Sequence, residues 1–197
     1  MPTPSLGIGV AAAPTPTLAF SKGELADIQA EEGYTDQAFQ RLLALHFFTP
    51  KAYQKLGAAR LQALAKQGDA HAMVTLGEKY FEAALLHKNS GDEQPNAASL
   101  QQSRAMLQEA LVAGNIRSAG LLAQTYLEAG DEEQGLAWLI YSQTLGDPAS
   151  QDELKNMASE EEQAELQLAG LNRALHIEEQ IKRARRTLGL APLATDQ

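Results

Sequence analysis

The sequence predicts an all-α fold of stacked antiparallel helix pairs, and three observations carry that reading. Two stretches copy one another: Gly68-Asp69 leads to Leu76-Gly77 and Tyr80, and Gly114-Asn115 leads to Leu122-Ala123 and Tyr126 at the same offsets. A weaker third copy starts at Gly146-Asp147 and reaches Leu154. The periods, 46 and then 32 residues, are the lengths of repeated helix hairpins, which bury a continuous core only by stacking. Alanine, leucine, glutamate and glutamine dominate the composition, which favours helix over strand.

A chain of 197 residues is long enough to bury a sizeable core as one domain. Its formal charge of −9 argues against nucleic acid and against an anionic membrane as the main partner, because both need clustered Lys and Arg. No stretch approaches the eighteen or so apolar residues of a membrane span. Without cysteine there is no disulfide and no thiolate metal site. Residues 1–20 are rich in Pro, Ala, Thr and Gly, with Pro2, Pro4, Pro14 and Pro16 spaced through them. Proline blocks helix there, so the segment reads as an extended tail or tether. It also reads as the spacer left after an upstream export or lipid-anchor signal, which would place the protein in a bacterial periplasm; otherwise the expectation is cytoplasmic. The single helical domain is expected over 21–190, with a short tail over 191–197.

Helix succeeds helix from Ser21. Glu24 to Glu31 is a short helix stopped at Gly33, and Thr35 to Phe48 is the next. At Thr49-Pro50 the threonine can cap and the proline can take the first helical position. Tyr53, Leu56, Leu61 and Leu64 then recur at helical spacing up to Gly68. Ala72, Met73, Leu76, Gly77 and Tyr80 share one face, as do Ala119, Leu122, Ala123 and Tyr126. The small residue after each Leu (Gly77, Ala123) lets a partner helix approach, and the aromatic one turn later fills the space beside it. The partner helices match too: Ser103, Met106, Leu107 and Ala110 precede Gly114 at the distances by which Gly135, Trp138, Leu139 and Ser142 precede Gly146. The joint Ala129-Gly130-Asp131 is tight, whereas residues 87–98 form a longer surface loop. Ser159 and Glu162 form a capping box for a last helix over 159–188. Glu160, Glu161, Glu162 and Glu165 crowd its start, and Lys182, Arg183, Arg185 and Arg186 its end, so both groups suit the helix dipole. Its wide apolar face of Leu168, Leu171, Leu175, Ile177, Ile181 and Leu188 is expected to close the stack. Eight or nine helices result.

The repeat unit Gly-Asp-x-x-Ala-x-x-x-Leu-Gly-x-x-Tyr, followed by a helix of small-x-x-Trp-x-x-x-small pattern and a closing Gly, resembles the Sel-one-like repeats, relatives of the tetratricopeptide repeats. The resemblance covers residues 59–157. It departs from the family pattern at the 87–98 joint, at Ser103 and Gly135 where Ala is preferred, and at Ala158 where Tyr would stand. It implies a right-handed α-solenoid acting as an adaptor, scaffold or specific inhibitor, with Trp138 and the repeated Gly, Ala, Leu and Tyr positions structural.

Chemistry is sparse. His46, His71, His87 and His176 sit at unrelated positions, with no His-Glu-x-x-His run and no glycine-rich phosphate loop. His176, Glu178 and Glu179 point in different directions on a helix, so they make no metal cluster. No catalytic residue, metal or cofactor is expected, and the chain reads as a non-enzymatic protein–protein interaction module. With the apolar face turned inward, a turn of about 100° per residue sets His71, Thr75, Glu78 and Glu82 outward. Shifting by 46 residues adds Arg117, Leu121, Gln124 and Glu128. In repeats of the resembled kind the first helix of each pair lines the inner curve, so these eight would form one partner-binding stripe. Two further readings stand beside this one. The chain could be an immunity protein that neutralises a toxic effector enzyme, its acidity suiting a basic target. It could also be a homodimeric scaffold paired through the last helix.

Overall fold

The computed structural model describes residues 18–89, 95–156 and 160–193, and within these it is all-helical. The helices in chain order are α1 (Lys22–Glu32), α2 (Asp36–Ala44), α3 (Lys51–Gln54), α4 (Ala58–Ala65) and α5 (Ala70–Asn89). They continue with α6 (Ala97–Ala113), α7 (Arg117–Leu127), α8 (Glu132–Thr144), α9 (Pro148–Asn156) and α10 (Glu160–Thr187). No helix among the described residues is long and apolar enough to cross a membrane. The long joint after α5 and the Ser159 capping box fall on residues that lie, in whole or part, outside the described ones.

Ser21 starts α1: its hydroxyl accepts from Glu24 N at 3.2 Å, and Glu24 reaches back to the Ser21 amide. The same Glu24 carboxylate accepts from Lys51 N at 2.6 Å. It thus supplies the anionic cap that Pro50 cannot give α3. Thr49 does not cap that helix as expected, since Pro50 itself holds the cap position and Thr49 Oγ1 lies 3.5 Å from His71 Nδ1. Helix α2 ends at Ala44 rather than at Phe48. His46 takes a left-handed φ of 52°, which throws Phe47 and Phe48 inward against Phe39, the Phe39 and Phe48 rings lying 5.5 Å apart. Residues 55–57 likewise break the expected helix from Tyr53 to Leu64 into α3 and α4. Leu18 and Phe20, assigned to the tail on composition, pack against the core.

The repeated glycines build one turn three times over. Asp69 N donates to Leu64 O at 3.2 Å, Asn115 N to Ala110 O at 3.0 Å and Asp147 N to Ser142 O at 3.2 Å. The glycine before each has a left-handed φ: 88° at Gly68, 118° at Gly114 and 83° at Gly146. This is the Schellman closure, which satisfies the last carbonyls of the finished helix. The residue after each glycine then caps the next helix, Asp69 Oδ1 accepting from Ala72 N at 3.1 Å and Asn115 Oδ1 from Ser118 N at 3.2 Å. Its remaining polar atom ties it elsewhere. Tyr53 donates to Asp69 Oδ2 at 2.7 Å, Asn115 Nδ2 donates to His46 O, and Ser142 donates to Asp147 Oδ2 at 2.9 Å. All three side chains are buried, as caps this deep must be to avoid orphaned backbone groups.

Helices adjacent in sequence pack on one another from α4 to α9. Within a pair they run in opposite directions: Asn96 N donates to Ala84 O at 3.2 Å near the joint, while Ser103 Oγ donates to Gly77 O at 2.8 Å further along. A Cβ at Gly77 would lie 2.7 Å from Leu107 Cγ, so the expected close approach is real. Gly77→Val is therefore expected to destabilise by about 1–3 kcal/mol through overpacking, measured as a lower urea midpoint with unchanged m-value. Each repeat tyrosine meets the helix before its own. Tyr80 meets Gln62 of the preceding α4 at 3.5 Å, and Arg104 of the preceding α6 stacks 3.7 Å from the Tyr126 ring centroid.

Two hydrophobic clusters form the interior, one among α3, α4, α5 and Ala110 of α6, the other among α2, α6, α7, α8 and α10. Helix α10 lies on α8 and touches α6, but it uses only part of the wide face expected to close the stack. Ala174, Ile177 and Ile181 are buried, whereas Leu168, Leu171 and Leu175 are exposed. The basic cluster at its end is not wholly solvated either. Arg185 is buried, donating to Val112 O at 2.5 Å and to Ala191 O at 2.7 Å. The guanidinium closes the end of α6 and holds the chain beyond α10, because its fork can serve two carbonyls at once.

Candidate partner-binding face

Of the eight residues expected on one stripe, six reach or approach the surface. Glu82, Gln124 and Glu128 are exposed, and Glu78, Arg117 and Leu121 are half-buried. Glu78 on α5 and Arg117 on α7 form an ion pair at 3.1 Å. Burial pushes the Glu78 carboxyl above its ordinary range, and Arg117 partly offsets that. Leu121 packs against both hydrophobic clusters; it belongs to the seam between them more than to solvent.

His71 and Thr75 are a correction. Both are only 2% exposed, so neither belongs to an accessible stripe. The helical wheel set them outward. It could not see that Phe20, His46, Thr49 and Tyr53 cover that side of α5. His46 Nδ1 lies 3.4 Å from His71 Nε2, and the Phe20 and Tyr53 rings lie 6.4 Å and 5.5 Å from that of His71. Thr75 Oγ1 donates to His71 O at 2.8 Å, a back-bond within the helix.

The two histidines are far apart in sequence, so only the fold brings them together. Burial lowers the pKa of both, and His71, further depressed by its histidine neighbour, falls to about 4 despite the nearby Asp69 carboxylate. Both rings are therefore neutral near pH 7. Asp69 itself is engaged by Tyr53 and by the α5 amide of Ala72. Among the described residues no three or more His, Asp or Glu side chains are placed to hold a metal ion.

Trp138 is buried in the second cluster, consistent with a packing role, and His176 donates to or accepts from Gln180 at 2.9 Å on the surface of α10. Comparison with protein-family models, with curated proteins and with solved structures finds no match.

Proposed function

We propose that this chain is a non-enzymatic protein-binding module, a right-handed α-solenoid of Sel-one-like repeats that engages a protein or peptide on the face shared by α5 and α7. The observation that carries the reading is the repetition itself: one turn geometry built three times, with helices packed in chain order. Such arrays present extended surfaces rather than enclosed reaction sites. The face carries Glu78, Glu82, Gln124 and Glu128, with Arg117 already paired to Glu78. Its chemistry suits a basic partner drawn in by electrostatic steering.

Affinity capture from native lysate, with and without residues 1–17, identifies the partner; Leu18 and Phe20 stay because they pack against the core. The double variant Glu82→Lys, Gln124→Lys then tests the face without touching the core, since both positions are exposed. Affinity is expected to fall by about tenfold or more, with a weaker salt dependence and an unchanged circular dichroism spectrum. Unaltered binding, or turnover of a small molecule by the purified chain, would sink the proposal. A Leu121→Glu substitution is a poorer probe, because it would also disturb the seam between the clusters.

The net charge of −9 favours a second reading, an immunity protein covering a basic effector enzyme. That reading requires tight, strongly salt-sensitive binding to one neighbouring gene product; weak binding to many proteins would exclude it.

A further inference from the structure

Helix α10 carries two apolar lines, and the fold uses one. Gly170, Ala174, Ile177 and Ile181 turn onto the body of the protein, a Cβ at Gly170 meeting Ile140 and Leu136 of α8 at 3.0 Å. Leu168, Leu171 and Leu175 remain 64%, 45% and 53% exposed. A lone exposed leucine is ordinary. Three at i, i+3 and i+7 make a continuous seam of the kind helices bury against one another.

The charges of α10 say what would cover it. Glu160, Glu161 and Glu162 open the helix; Lys182, Arg183 and Arg186 end it, while Arg185 is occupied internally. Glu161, Leu168, Leu175 and Lys182 recur at intervals of seven, one heptad position running acid, apolar, apolar, base. Such a line is its own complement when reversed. We propose that a second copy of this chain docks on it, the two α10 helices antiparallel about a two-fold axis near Leu171. Leu168 then lies level with Leu175 of the partner subunit, and Glu161 with Lys182 of the partner subunit. A parallel pair would instead set acid on acid and base on base. The two-fold is the commonest symmetry for a self-complementary surface, and the short seam makes this a weak, concentration-dependent dimer. It is independent of the α5–α7 face, so either can fail without the other.

The test is sedimentation of the full chain over a concentration series at low salt, with helicity followed by circular dichroism. A monomer–dimer equilibrium is expected. Leu171→Glu should leave only monomer with unchanged helicity, because that leucine is 45% exposed and belongs to neither hydrophobic cluster. Lys182→Glu should weaken the dimer about three- to tenfold through two symmetry-related pairs, and adding Glu161→Lys should restore it. The rescue is diagnostic: Lys182 also pairs with Glu178 at 2.8 Å in its own helix, and Glu161→Lys cannot repair that loss. A monomer at every concentration, a dimer indifferent to Leu171→Glu, or a single charge reversal that strengthens association would overturn the proposal. So would a chain that dimerises only once residues 1–17 are removed, since the tail would then be the occupant.

Discussion

Trp138→Ala should cost about 3–5 kcal/mol, the largest single-site loss expected here. The indole is buried in the larger hydrophobic cluster, 4% exposed, with the Tyr141 ring 6.2 Å away. Among the described residues its Nε1 has no hydrogen-bond partner. Its contribution is therefore packing and removal of apolar surface from water, with nothing from a polar contact. That separates two substitutions. Alanine leaves a cavity the size of an indole, whereas Trp138→Phe leaves a smaller gap, loses no hydrogen bond, and should cost well under half as much. Unfolding must be followed by circular dichroism, because Trp138 is the sole tryptophan. If phenylalanine cost as much as alanine, the indole N–H would need a partner and the packing account would fail.

The features legible in the sequence were those set by local chemistry. Gly68-Asp69, Gly114-Asn115 and Gly146-Asp147 announced turns because only glycine takes the left-handed position cheaply, and an Asp or Asn side chain caps the next helix. Gly77 announced a close approach because nothing else in an interior helix turn justifies losing helix propensity. Glu78 and Arg117 were set on one stripe by the repeat period, but their ion pair was not foreseen. Each inference needed only a turn or two of helix and the repeat period.

What stayed hidden depended on contacts made far along the chain. The wheel set His71 outward, but the segment from Phe20 to Tyr53 folds over it. Arg185 looked like one of four basic residues complementing the helix dipole until α6 placed the carbonyl of Val112 beside it. Helix α10 illustrates the limit best: its apolar positions were all visible, yet which of two lines meets the body is decided by how α8 and Gly170 fit together. The partner-binding stripe suffered the same way, with its α7 half and the later turns of α5 at the surface and its first α5 turn covered.

The covered histidines give the fold a pH dependence of predictable sign. His71 has a folded pKa of about 4 against an ordinary value of 6.5, chiefly because burial disfavours its charged form. Below pH 6.5 the unfolded chain takes up a proton at this position that the folded chain refuses, so stability falls as pH is lowered, until the folded pKa is also passed. His46 shifts in the same direction and for the same first reason. The groups around the pair only partly offset this: Thr49 contacts one ring nitrogen, and the Asp69 carboxylate, which favours the charged rings, is itself held by Tyr53 and Ala72. Glu78, Glu109 and Glu153, raised by burial, act oppositely, since the folded state protonates them more readily. A comparison with His71→Gln cancels those contributions. Between neutral pH and about pH 4.5, the wild-type chain should lose about 2–3 kcal/mol more than His71→Gln, measured by urea unfolding. Parallel pH curves for the two proteins would mean that His71 is protonated in the fold and that the strap from Phe20 to Tyr53 does not seal it from water.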